Sequence, residues 1–158
     1  VQNPKKKTIQ DSTQDSVDGV LQDLRYRSIF QHIQLPAGIL KILTDENDKP
    51  IDYIHLDIND AFEKYFNMPK ESFLGEKVTK LFPGIENDEN DWIDKFGQVA
   101  VLGTTYSYKA YSEMFSKWYS GMVYRPDPTK REVCVVFQDV SENVQSRQAL
   151  LESEERYR

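Results

Sequence analysis

Two imidazoles, one thiol and a crowd of aromatic rings are the chemically distinctive side chains of this 158-residue chain. The imidazoles, His32 and His55, are the only candidate bases that titrate near neutral pH. Neither completes a Ser-His-Asp or Cys-His constellation, and no phosphate-binding loop is present, so no catalytic residue is assigned and the chain is not expected to be an enzyme. Cys134 stands among Val133, Val135 and Val136 and reads as a small buried hydrophobe. As the only cysteine it can form no intrachain disulfide, which suits a reducing compartment and a cytoplasmic location. Glu86, Asp88, Glu89 and Asp91 form an acidic knot. A calcium loop needs glycine at its sixth position and glutamate at its twelfth. Counted from Glu86 those places hold Asp91 and Gly97, so no metal site is expected and the knot reads as the acidic start of a helix.

The aromatic residues offer a pocket more readily than a reaction centre. Ligand pockets are mainly apolar with a few polar tips, and tyrosine supplies both. Phe62, Phe66, Trp92, Phe96, Tyr106 and Tyr108 are candidate ligand-binding residues, and Gly97 joins them for a different reason. A glycine inside a helix costs about 1 kcal/mol relative to alanine. Close packing on a sheet, or room for a ligand, must offset that. His55 is expected to be a partly exposed strand residue, and Lys109 and Arg125 are the remaining candidates for contacting an anionic ligand.

These side chains need elements to carry them. Residues 1–16 are polar and read as a linker or disordered. Val17, Val20, Leu21 and Leu24 then recur at helical spacing, giving a flanking helix over 17–35 that stops at Pro36. Strands are expected at 37–44 and 51–56, joined by the polar turn 45–50 as an antiparallel hairpin. Asn59 looks like a helix cap ahead of Ala61, Phe62, Tyr65 and Phe66. A longer helix is expected within 86–103, capped by Asp88 or Asn90 and closed by Gly103. Strands at 104–113, 117–124 and 132–138 follow, then a charged helix from Ser141. Two strands, a helical insert and three strands make an α+β domain: a five-stranded antiparallel sheet with helices on one face, plus N-terminal and C-terminal flanking helices.

Net charge is −6, which disfavours duplex nucleic acid and direct contact with an anionic membrane; Lys5, Lys6 and Lys7 read as a solvated tail. No apolar run reaches the roughly 18 residues of a membrane span. The last strand carries apolar residues on both faces: Val133, Val135 and Phe137 on one, Cys134 and Val136 on the other. The outer face needs cover, which the stripe from Val17 to Leu24 can supply in cis or across a homodimer.

Several phrases sharpen the expectation. Asn59-Asp60-Ala61-Phe62 resembles the opening of the first internal helix of many PAS domains. Phe73-Leu74-Gly75-Glu76-Lys77, Leu81-Phe82-Pro83, the helix from Trp92 to Gly103, Lys117-Trp118-Tyr119, and Phe137-Gln138-Asp139-Val140-Ser141-Glu142 are similar to later PAS motifs in the same order. The resemblance covers about Leu24 to the C-terminus. It implies a PAS domain over 36–141 and an output helix over 142–158 leading to a linked effector, such as a histidine kinase or diguanylate cyclase. A further PAS domain is the other continuation, since Arg25-Tyr26-Arg27 is echoed by Arg156-Tyr157-Arg158. Haem-binding members place histidine on the long helix, and photosensors of the LOV type place cysteine near residues 70–75. This chain has neither, so no haem and no LOV-type flavin are expected, only an apolar or aromatic small molecule if any ligand. Trp118, Asp139 and Ser141 are the expected signal junction, because Asp or Ser can cap the output helix and Glu142 can bond back to it. The implied function is a sensor that passes a conformational signal from small molecule or partner to effector; a ligand-free dimerisation or spacer module is the alternative.

Overall fold

The computed structural model describes residues 4–158, with side chains described from residue 13 onward. In chain order the elements are α1 (Pro4–His32), β1 (Ala37–Thr44), β2 (Pro50–Ile58), α2 (Asp60–Phe66), α3 (Val78–Leu81), α4 (Trp92–Leu102), β3 (Tyr106–Ser112), β4 (Lys117–Tyr124), β5 (Glu132–Asp139) and α5 (Ser141–Arg156). Single 3₁₀ turns lie at Lys70–Ser72 and Ile85–Asn87. The strands form one sheet in the order β2-β1-β5-β4-β3, every pair antiparallel. The helical insert between β2 and β3 packs on one face, as expected.

Local chemistry explains the joints. The β1–β2 turn closes because Asp45 Oδ1 accepts from the backbone N–H groups of Asn47 and Lys49. Asn59 is buried and holds three segments together. Its Oδ1 accepts from the N–H of Phe62, capping α2, and from that of Ala37, anchoring β1. Its Nδ2 donates to the Leu35 carbonyl at 2.9 Å. The core lies between the sheet and the insert, where Leu40, Ile58, Phe73, Val78, Val99 and Val133 are almost wholly enclosed.

Two boundaries differ from the sequence expectation. Helix α1 continues back to Pro4 through residues that composition assigns to a linker. Lysine and glutamine are good helix formers, and proline is tolerated in a first turn. Helix α4 begins at Trp92, and neither Asp88 nor Asn90 caps it; Asp91 stands at its start in the left-handed region, φ 50°. Asp88 is occupied elsewhere. Its carboxylate accepts from Ser112 Oγ at 2.6 Å and from the backbone N–H of Asn90 at 2.9 Å, tying the approach to α4 onto the end of β3. The carboxylate is thus committed to β3 before α4 begins.

Candidate functional site

A cavity of about 80 Å³ lies between the sheet and the helical insert. Five of the seven candidate ligand-binding residues line it: Phe62 and Phe66 from α2, Trp92 and Phe96 from α4, and Tyr108 from β3. Helical spacing places Phe62 beside Phe66, and Trp92 beside Phe96, on the faces their helices turn to the sheet. The rings meet edge-on or tilted, with Phe62 and Phe66 centroids 4.9 Å apart and Trp92 and Tyr108 centroids 5.0 Å apart. Gly121, opposite Tyr108 in the β3–β4 register, leaves space for the Tyr108 ring; a Cβ there would meet the Tyr108 hydroxyl and the Val136 carbonyl.

Tyr106 and Gly97 lie off the cavity. Tyr106 stacks on Tyr108 from behind, centroids 5.5 Å apart, and carries Lys95 Nζ over its outer ring face. Gly97 faces β1 and β2, and a Cβ built on it would overlap the ring of Pro50. Its role in this structure is close approach of helix to sheet. Arg125 caps the end of α4, donating to the Ala100 carbonyl at 3.1 Å, so it does not reach the cavity either. Lys109 alternates with Tyr108 along β3 and points to the opposite face.

His55 departs most from expectation. It is 2% exposed and lines the cavity, with Tyr53. Period-2 alternation puts Tyr53 and His55 on one face of β2, and the core character of Tyr53 was the signal that could have placed His55 inside. The ring lies edge-on to Tyr53, Phe62 and Phe73. Its Nδ1 is 3.3 Å from the carbonyl of Glu76. Burial pushes its pKa below the ordinary value, against smaller raising effects of that carbonyl and of Asp52.

Asp139, at the end of β5, has more partners than a simple cap. Its Oδ1 accepts from the N–H of Ser141 at 3.0 Å, and its Oδ2 accepts from the hydroxyl of Tyr65 at 3.0 Å. The Tyr65 and Tyr119 hydroxyl oxygens are 2.9 Å apart. Tyr119 lines the cavity. A continuous hydrogen-bonded run therefore joins the cavity wall (Tyr119) through α2 (Tyr65) to the start of α5. Burial alone would raise the Asp139 carboxyl, but bonds from the Ser141 hydroxyl and N–H and from Tyr65, with Lys117 nearby, bring it below the usual carboxylate range. Trp118 joins this junction through its backbone: its N–H donates to Ser141 Oγ and its carbonyl accepts from the N–H of Val140, both at 2.9 Å. Its ring lies against Tyr111 instead. The sequence reading named Asp139 and Ser141 but not their link to Tyr65.

Among the described residues, no group of His, Cys, Asp and Glu is arranged to hold a metal ion, and no helix is long and apolar enough to cross a membrane. Cys134 is buried on the outer face of β5, hydrogen-bonded to Tyr124, and burial raises its thiol.

No family model and no curated protein matches the chain. Solved structures do. A domain of a sensory box sensor histidine kinase/response regulator from Geobacter sulfurreducens is similar at TM-score 0.50 and 16% identity, covering 75% of this chain and 94% of that one. An RNA-binding light-oxygen-voltage receptor is similar at TM-score 0.60 and 12% identity over 87% of this chain and 38% of that one. The PAS domain of an HTR-like protein from Haloarcula marismortui is similar at TM-score 0.48 and 11% identity, over 80% of this chain and 98% of that one.

The likeness to a light-oxygen-voltage receptor corrects one expectation. The lack of cysteine near residues 70–75 predicts no flavin of the LOV type, yet this backbone superposes on a receptor of that class. A missing cysteine removes the residue that would attack a flavin, and it does not remove a fold such receptors use. Sheet order, the helical insert on one face and the similarities at TM-scores 0.50 and 0.60 agree that the chain is a domain of the PAS fold.

Proposed function

We propose that this domain is a non-catalytic sensor module whose cavity takes a small molecule and whose α5 passes the consequence to a covalently linked effector domain. The observation that carries the reading is the run Tyr119–Tyr65–Asp139. One end is part of the cavity wall and the other bonds the first N–H of α5. A ligand that shifts the Tyr119 ring changes the geometry on which the Tyr65–Asp139 bond depends. Asp139 then holds the helix start more or less firmly. Such a device shifts a population only by the ligand's differential affinity for the two states. The few polar bonds at the junction are each worth about 1 kcal/mol, a scale that modest ligand binding can outweigh. The similarity to a sensory box domain of a histidine kinase supports a signalling context for the effector.

A second reading, a ligand-free dimerisation or spacer module, is favoured by the exposed apolar stripe on α1. Thermal unfolding of the full chain against a set of small neutral fragments separates the two. A ligand of the folded state raises Tm progressively as its concentration exceeds Kd. The sensor reading expects such a rise for at least one fragment. A Tm unmoved across the set supports the spacer reading.

A further inference from the structure

The polar atoms of the cavity wall restrict what can enter it, given the reading of this cavity as a ligand site. His55 Nδ1 faces the Glu76 carbonyl. A carbonyl oxygen only accepts, so Nδ1 carries the hydrogen. Burial keeps the imidazole neutral at pH 7. Nε2 is then a bare lone pair; among the described residues no hydrogen bond is made to it, and it is not one of the fully enclosed unpartnered atoms, so it still borders open space. In so apolar a setting an acceptor gains from a donor: the Phe62 and Phe73 rings beside it supply none, and the hydroxyl of the neighbouring Tyr53 makes no hydrogen bond to it.

Tyr119 leads to the same conclusion independently. The ionised Asp139 only accepts, so Tyr65 gives its single hydroxyl hydrogen to Asp139. In the Tyr65–Tyr119 contact the donor is therefore Tyr119. Its hydrogen is spent there, and its oxygen is left with accepting capacity alone. The hydroxyls of Tyr53 and Tyr108 can serve either way, and the indole N–H of Trp92 can only donate. No Asp, Glu, Lys or Arg belongs to the wall, so a charged guest would lose its hydration with nothing to replace it. The volume, about 80 Å³, is near half that of an engineered cavity of about 150 Å³ that binds benzene.

We propose that the cavity takes a small, neutral, mostly apolar molecule bearing an N–H or O–H group, and that this group donates to Nε2 of His55. Pyrrole and furan are matched probes, five-membered rings that differ in whether an N–H is present. The full chain, labelled with ¹⁵N at its two histidines, is titrated with each while imidazole nitrogen shifts are followed. The expected result is a moved Nε2 resonance of His55 with pyrrole only, and binding of pyrrole roughly tenfold tighter than of furan, the scale of one hydrogen bond to a buried acceptor. His55→Phe, which keeps a ring of similar shape, should bind the two alike. Equal binding of both by the unaltered chain with Nε2 unmoved overturns the inference and leaves the cavity a ligand site, His55 then serving only to fasten β2 to the Glu76 segment. Binding of neither overturns the inference as well, while the sensor reading still answers to the wider fragment set.

Discussion

At the scale of single residues, competing terms can be set against each other. Gly97→Ala gains helix propensity of about 1 kcal/mol. The added Cβ overlaps the Pro50 ring, and overpacking of this kind costs about 1–3 kcal/mol. The expected outcome is a net loss of stability in a urea melt, opposite to the result at an exposed glycine. His55 gives a signed pH dependence. Its folded pKa is depressed below the ordinary value of about 6.5, so the unfolded chain takes up the proton first as pH falls. Stability contributed by the neutral ring is present above about pH 6.5 and lost below it, at no more than about 1.4 kcal/mol per pH unit. The groups acting on the ring are the Glu76 carbonyl and Asp52, both of which raise its pKa and limit the depression. Denaturant melts between pH 7.5 and 5 should show the loss, and His55→Gln should flatten it. An equal slope in both proteins contradicts the buried neutral histidine.

At the scale of elements, the joint between β5 and α5 is the part open to mutation. Asp139→Ala removes the acceptor of the Ser141 N–H and of the Tyr65 hydroxyl, and should cost about 0.5–2 kcal/mol, leaving the domain folded. Trp118→Phe should leave the joint intact, because its contribution is made by backbone atoms. Circular dichroism with amide exchange in the first turn of α5 distinguishes the two. Most elements were legible from the residues: strand ends fall within a few positions of expectation, and Asn59 caps as its type suggests. What escaped was anything settled by a distant partner. Asp88 has the composition of a cap, yet Ser112, far along the chain, claims its carboxylate. Tyr65 reads as core from helical spacing alone, and its hydroxyl bonds appear only once α2 lies beside β4 and β5. Gly97 remained ambiguous until Pro50 was found against it.

At the scale of the whole molecule, α1 is the outlier. Val17, Val20, Leu21 and Leu24 are all exposed along one stripe, as are Met122 and Tyr124 on the outer face of the sheet. A helix this apolar along one stripe and this bare is expected to pair with a second copy of the chain. Sedimentation of the full chain should give a dimer, and a version lacking residues 1–27 a monomer; monomers in both at high concentration refute the pairing. The central claim is that cavity and α5 are coupled through Tyr65, and amide hydrogen exchange tests it most directly. Exchange in the first turn of α5 is measured with and without saturating pyrrole, in the unaltered chain and in Tyr65→Phe, a change that should cost only about 0.5–1.5 kcal/mol. The account predicts that pyrrole alters exchange there in the unaltered chain, and that Tyr65→Phe still binds pyrrole but loses the response. An identical response in both proteins, or binding without any change at α5, would contradict it.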